Sequence, residues 1–294
     1  EQRGIRSVMV FLNSYGIGTA RAVRIYKTYG DAAVEIIKNN PYRLSTDIWG
    51  IGFKIADDLA LRLGLPKDSP LRARAAVRFV LQEFNQQGHV AFPELGVLDR
   101  TVELTSIAPE VIREAIAAGV LEDEFVRDEP PVAFEPYGQE PWLYLKPMFV
   151  AELSVARWMQ KLKEGKHPLP SIDFAKALDW VQRKMNLELA PTQREAIEAS
   201  TKEKVLVVTG GPGVGKTTIV RGIIEIFAAK KLRVALAAPT GRAAKRLCES
   251  TDREARTIHR LLEFDPGKGG FNRAATAWKS TCSSSTRLRW STSR

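Results

Sequence analysis

The segment Gly210-Gly211-Pro212-Gly213-Val214-Gly215-Lys216-Thr217 has the spacing G-x-x-x-x-G-K-T. This Walker A pattern can wrap a polyphosphate. Glycines let backbone amides close around phosphate oxygens without side chains in the way. Lys216 supplies an ammonium for the β- and γ-phosphates, and Thr217 a hydroxyl for Mg²⁺. These two residues are the catalytic candidates. Gln193, Gly210, Gly211, Pro212, Gly213, Val214, Gly215, Lys216, Thr217 and Thr218 form the nucleotide-binding set. The expected ligands are ATP and Mg²⁺.

The context that confirms such a loop is a buried strand before it and, after it, a helix that points its positive end at the phosphates. Both are expected. Val205–Thr209 is a continuous apolar, β-branched run, the mark of a buried parallel strand. A helix is expected after the loop, through Ala229. Arg233–Ala238 reads as a second buried strand and Thr240–Glu249 as the helix after it. Upstream, Phe174–Met185 reads as a helix, and Pro191-Thr192-Gln193 opens another that runs to Ser200. Glu164–Pro170 reads as a linker. Strand, loop, helix, strand, helix is the opening of a doubly wound α/β domain.

The first part of the chain has a different pattern. Tyr15-Gly16-Ile17-Gly18 and Trp49-Gly50-Ile51-Gly52 each separate two short stretches of helical spacing, an internal repeat of helix, Gly-x-Gly hairpin and helix. Gly16, Gly18, Gly50 and Gly52 can offer backbone amides to a phosphate, with Arg21 and Lys54 adding charge beside them. The isoleucines pack inward. Beyond the repeat, helices fit Ala73–Gln87 and Pro109–Gly119, and strand-like pieces fall at Val132–Phe134 and Trp142–Leu145. A helix fits Phe149–Lys163.

The 294 residues carry 44 Lys and Arg against 34 Asp and Glu, a net charge of +10. That balance favours a polyanionic partner. With cysteines only at Cys248 and Cys282, no disulfide framework supports the fold, and a cytoplasmic location is expected. No apolar run is long enough to cross a bilayer, and no signal peptide is recognisable. The opening Glu1-Gln2-Arg3 reads as part of a longer protein.

Further strings point to one family. Leu189-Ala190-Pro191-Thr192-Gln193 resembles the Q motif of superfamily 1 helicases, which implies that the Gln193 amide reads the adenine edge. Ala237–Leu247 resembles helicase motif Ia, which implies that Pro239, Thr240, Gly241 and Arg242 contact single-stranded DNA. Thr257–Leu262, containing His259, resembles the next DNA-contacting motif. With the tandem hairpins, the stretch from about Gly4 to Gly270 resembles the RecD-like ATP-dependent DNA helicases, superfamily 1 enzymes that move 5′ to 3′. The resemblance implies DNA partners, namely single strands and duplex ends or forks, and names no protein partner or membrane. The expected architecture is a mostly α N-terminal region followed by a partial α/β RecA-like P-loop domain. The N-terminal region comprises a tandem helix-hairpin-helix over 1–68 and a small helical or winged-helix-like module over 69–165. The motor lobe covers 171–270 and a tail 271–294.

The tail departs from that family. No apolar strand ending in Asp-Glu follows the loop, and Ala277–Ser293 has neither helical nor strand periodicity. Plausible codons for that stretch, read in another frame, encode L-E-V-D-L-L-V-V-D-E-A-S-M-V-D-V. This is an apolar strand ending in the missing acids. The tail is therefore expected to be out-of-frame translation, and the chain by itself an inactive fragment that binds ATP and DNA at most. The alternatives are a non-catalytic DNA-binding module with a vestigial loop, or another P-loop ATPase.

Overall fold

The computed structural model describes residues 2–129, 138–165, 169–211 and 213–273. The chain divides into two compact units, Glu1–Ala156 and Arg157–Arg294.

In the first unit the repeat forms α1 (Gln2–Ser14), α2 (Thr19–Tyr29), a 3-10 turn at Gly30–Ala32, α3 (Ala33–Asn39), α4 (Arg43–Asp47) and α5 (Phe53–Arg62). The Gly-Ile-Gly hairpins join α1 to α2 and α4 to α5. Val8, Leu12, Ile17, Ile25, Ile37, Leu44, Ile51 and Leu59 meet in one core. Each such side chain contributes roughly 1.5–3 kcal/mol by leaving water. Ile17 and Ile51 point inward as expected.

Next come α6 (Pro70–Gln86), β1 (Ala91–Pro93), α7 (Glu94–Thr105), α8 (Pro109–Leu121), β2 (Phe125–Asp128) and β3 (Trp142–Leu145). The strands form an antiparallel sheet in the order β1-β3-β2. Helix, strand, two helices and two strands in this pairing have the order of a winged-helix-like module, called the winged helix below. Its core is built from Val77, Val80 and Leu81 of α6, Val97 and Leu98 of α7, Ile112 and Ile116 of α8, and Phe125 and Leu143 of the sheet. The sequence reading had no counterpart for β1 or α7. The strand-like Val132–Phe134 lies outside the described residues, and β2 is what pairs with β3, Phe125 opposite Leu145.

The hairpin region and the winged helix share a third core, in which Tyr42, Phe53, Ala56 and Ala60 pack with Ala75 and Ala76 of α6. Beside it, the carboxylate of Asp57 on α5 takes both Nε and Nη2 of Arg72 on α6, at 2.9 and 3.0 Å. Residues 69–145 carry thirteen Asp and Glu against six Lys and Arg, a net charge of −7, whereas residues 1–68 carry seven against ten. Glu110, Arg113, Glu114 and Ala117 of α8 are exposed. A helix that enters a DNA groove is favoured by basic residues on its exposed face. Of these four exposed residues of α8, two are acidic and one is basic.

Helix α9 (Lys146–Lys163) buries none of its residues. The second unit then contains α10 (Phe174–Met185), α11 (Pro191–Lys202), α12 (Lys216–Ala229), β4 (Leu236–Ala238), α13 (Gly241–Thr251), β5 (Ala255–Thr257), α14 (Ile258–Leu261) and the short antiparallel hairpin of β6 (Phe264–Asp265) and β7 (Gly270–Phe271). Helix α12 is apolar on two sides. One side packs with Val181 of α10 and Ile197 of α11, the other with Leu236 of β4 and Leu247 of α13. Strands β4 and β5 are parallel.

Two expectations need correction. Val205–Thr209 is not a strand, and Val207 is 72% exposed. A strand exists through ladder hydrogen bonds to a neighbour, and none of the described residues supplies that ladder. For the same reason the second strand shortens from Arg233–Ala238 to the residues that face β5. The expected out-of-frame stretch, Ala277–Ser293, lies outside the described residues.

Candidate functional site

The phosphate loop leads directly into α12, with Gly215 as its N-cap at φ +83°. Lys216 folds back over the loop. Its Nζ donates to the Gly211 carbonyl at 2.6 Å and also to the Gly210 carbonyl. Among the described residues this ammonium is held by loop carbonyls, which phosphate oxygens can replace. Thr217 is exposed in the first turn of α12, with Thr218 beside it. Gly210, Gly211, Gly213 and Val214 are exposed along the loop, and Pro212 lies outside the described residues.

Gln193 is tied into this loop. Its Oε1 accepts the Ala190 amide at 3.1 Å, and its Nε2 donates to the Val214 carbonyl at 3.3 Å. A Cβ on residue 215 would stand 2.3 Å from that Nε2 and displace it, and the left-handed backbone favours glycine there. The preceding segment is pinned by Gln182, whose Oε1 accepts the Leu189 amide at 2.9 Å, and by Arg194, whose Nε donates to the Leu189 carbonyl at 2.7 Å. Both ends of the Gln193 amide are thus engaged by backbone of its own chain. Among the described residues, no group of three or more His, Cys, Asp or Glu could hold a metal. A single hydroxyl at a phosphate loop still fits Mg²⁺, which takes few protein ligands and several from phosphate and water.

At the end of β4, Thr240 caps α13, its Oγ1 accepting the Ala243 amide at 3.2 Å. Pro239, Thr240, Gly241 and Arg242 are all exposed around this helix start. Between α13 and β5 lies an open cleft of ≈ 600 Å³ whose lining includes the basic Lys245, Arg256 and Arg260. His259 is exposed and packs edge-on to Phe264 at 5.3 Å, and 5.9 Å from Phe271.

In the first unit, Gly16 and Gly50 hold the hairpins at φ +85° and +84°, a left-handed geometry that favours glycine. Gly18 and Gly52 differ. Both are extended N-caps, and a Cβ on either would meet nothing within 4 Å. The fold itself does not demand glycine at these two positions. Arg21 is half-buried and Lys54 exposed, each at the start of the helix after a hairpin. Two arginines lock the hairpins reciprocally. Arg24 of α2 donates from Nη1 to the Trp49 carbonyl at 2.6 Å, and Arg62 of α5 from Nη1 to the Tyr15 carbonyl at 3.4 Å. Sequence reasoning missed both. They join residues 25 and 47 positions apart, beyond any local spacing rule.

A family model described as the ATP-dependent RecD2 DNA helicase HHH domain matches residues 1–91, and one described as an AAA domain matches residues 193–284. A protein named ATP-dependent RecD2 DNA helicase, from Deinococcus radiodurans, is 32% identical over 270 residues, covering 90% of this chain and 37% of that protein. The chain belongs to the RecD-like helicase family. Proteins named RecBCD enzyme subunit RecD are also similar. The one from Mycobacterium tuberculosis is 41% identical over 98 residues, 26% of this chain and 17% of its own length. The one from Haemophilus influenzae is 45% identical over 62 residues, 20% and 10% respectively. This RecD-like chain therefore spans well under half the length of these relatives. No helix among its described residues is long and apolar enough to cross a membrane.

Proposed function

We propose that this chain carries the nucleotide grip and two DNA grips of an ATP-dependent 5′ to 3′ DNA helicase of recombination and repair. The observation that carries the reading is the engagement of Lys216 by the Gly210 and Gly211 carbonyls at the start of α12. There, incoming phosphate oxygens replace carbonyls around one ammonium. The loop amides, the α12 N-terminus and Lys216 bind the triphosphate, and Gln193 positions the loop through the Val214 carbonyl and reaches the adenine edge by exchanging that bond. Mg²⁺, when bound, neutralises phosphate charge, and Thr217 is its ligand from this chain.

DNA phosphates are held in two places. The exposed start of α13, with Pro239, Thr240, Gly241 and Arg242, takes single-stranded DNA, and His259 with the adjoining basic cleft extends that track. Gly16, Gly18, Gly50 and Gly52, with Arg21 and Lys54, take phosphates at single strands, duplex ends or forks. The open space at Gly18 and Gly52 supports this, because a glycine that the fold does not need leaves room for a partner to approach backbone. A cytoplasmic location goes with this reading.

No apolar run ending in Asp-Glu follows the phosphate loop in the sequence, and on this reading the polypeptide alone binds ATP and DNA without unwinding. The tail from about residue 271 is read as out-of-frame translation. Determining the nucleotide sequence tests that, and a second frame lacking the apolar Asp-Glu string would end the idea. The site assignment is tested by titrating a fluorescent ATP analogue with Mg²⁺ into the protein and its Lys216→Ala variant. Equal affinity for the two would refute it.

A further inference from the structure

The two hairpins share a backbone but not a tip. Tyr15, just before Gly16, is partly buried, with its ring 5.1 Å from that of Phe11. Trp49, at the matching position before Gly50, is 89% exposed. An indole is the largest apolar side chain, and holding one in water forgoes the burial that stabilises its peers. Its backbone is nonetheless fixed. The Trp49 carbonyl takes the Arg24 guanidinium at 2.6 Å, and Gly50 turns the chain immediately after it. The Arg24 guanidinium also lies 5.9 Å from the indole centroid. The outcome is a flat aromatic face on a rigid hairpin tip, with a cation on one side. The open backbone of Gly52 and the exposed Lys54 are three and five residues further on.

We propose that Trp49 is a stacking site for an unpaired nucleobase, whose phosphate is held by the adjoining Gly50-Ile51-Gly52 hairpin. Any base offers a π face, so such a site is indifferent to sequence and selective for bases freed from a duplex. The chemistry of the two tips then divides the repeat. The first hairpin holds backbone only, and the second holds backbone and an extruded or single-stranded base. The assignment rests on the reading of the hairpins as phosphate grips.

The test is fluorescence anisotropy of the protein with a labelled single-stranded oligonucleotide and with a blunt duplex of the same sequence, for Trp49→Ala, Trp49→Phe and Gly52→Val. Trp49→Ala is expected to weaken single-strand binding about tenfold, as for loss of one stacked base, and to leave duplex binding unchanged. Trp49→Phe keeps a ring and is expected to restore most of the affinity. Gly52→Val is expected to weaken binding to both DNAs. If Gly52→Val weakens binding while Trp49→Ala does not, or if Trp49→Ala weakens single strand and duplex alike, the stacking site is refuted and the phosphate grip stands. If no variant changes binding, the phosphate grip itself is refuted, and the stacking site with it.

Discussion

Arg72 and Asp57 form a two-pronged ion pair between the winged helix and the hairpin region, with side chains only 10% and 14% exposed. Arg72 also donates from Nη1 to the Lys67 and Thr105 carbonyls, at 2.7 and 3.0 Å, and Tyr42 donates its hydroxyl to Asp57 at 2.8 Å. The hydrogen bonds that Arg72 donates to the Asp57 carboxylate hold its guanidinium above its ordinary pKa, while burial and the Asp57 carboxylate push the Tyr42 phenol well above its own. Removing one partner leaves the other charged in a mostly dry site. Asp57→Ala is expected to cost about 3–5 kcal/mol, the range for breaking a buried pair. Urea melts of the protein and the variant measure this, and a difference below about 1 kcal/mol, the worth of an exposed pair, would contradict the assignment.

Asp47 gives a pH prediction. Burial opposes its charge, but hydrogen bonds from Thr46 and Tyr29 and the Arg43 guanidinium outweigh burial and hold its pKa below the ordinary aspartate value. Tyr29 donates to it at 2.7 Å and Thr46 at 2.7 Å. A carboxylate whose pKa is depressed on folding stabilises the fold above its unfolded pKa, and that contribution is lost as pH falls through the folded value. Asp47→Asn is expected to flatten the acid limb of stability below about pH 4. Thermal melts from pH 7 down to pH 3 that show identical slopes for both proteins would rule this out.

Lys216→Ala is expected to lower affinity for Mg²⁺-nucleotide at least tenfold, since a charge-assisted contact is worth about 1.5–3 kcal/mol. Chelating Mg²⁺ is expected to weaken binding in the unmodified protein. Isothermal titration with and without chelator measures both effects, and insensitivity to each would argue against a nucleotide site.

Gln193 separates two roles in a single experiment. Gln193→Ala removes the hydrogen bond to the Val214 carbonyl and is expected to weaken ATP binding about fivefold, near the worth of one neutral hydrogen bond. If the amide also reads the adenine edge, the loss is larger for ATP than for GTP. Equal losses for both nucleotides would restrict Gln193 to positioning the loop.

The sequence was most readable where spacing is local. The helix that starts at Lys216, the two Gly-Ile-Gly hairpins and helices such as Phe174–Met185 follow from contacts within a few residues of each other, and they form as expected. The expected strand at Val205–Thr209 did not form, because β-branched residues make an extended segment acceptable while a neighbouring strand makes it a ladder. Helix α7 went unseen for a related reason. Its buried face, Val97, Leu98, Thr101 and Thr105, includes two threonines that return their hydroxyls to the helix, Thr101 to the Val97 carbonyl and Thr105 to the Thr101 carbonyl, each at 2.7 Å. A count of apolar residues misses such a face. Among the site residues, the tie from Gln193 to Val214 and the crossed arginines Arg24 and Arg62 join positions distant in sequence, and no motif announces them.

The acidic winged helix has a mechanical consequence. It is fused to a hairpin region of opposite net charge through a shared apolar core and the Asp57–Arg72 clamp. The first unit therefore separates charge, with its negative pole on residues 69–145. In the field of a polyanion such a body experiences a torque, which turns the hairpins forward and the winged helix away before any contact forms. The torque fades beyond a screening length of about 8 Å at physiological salt.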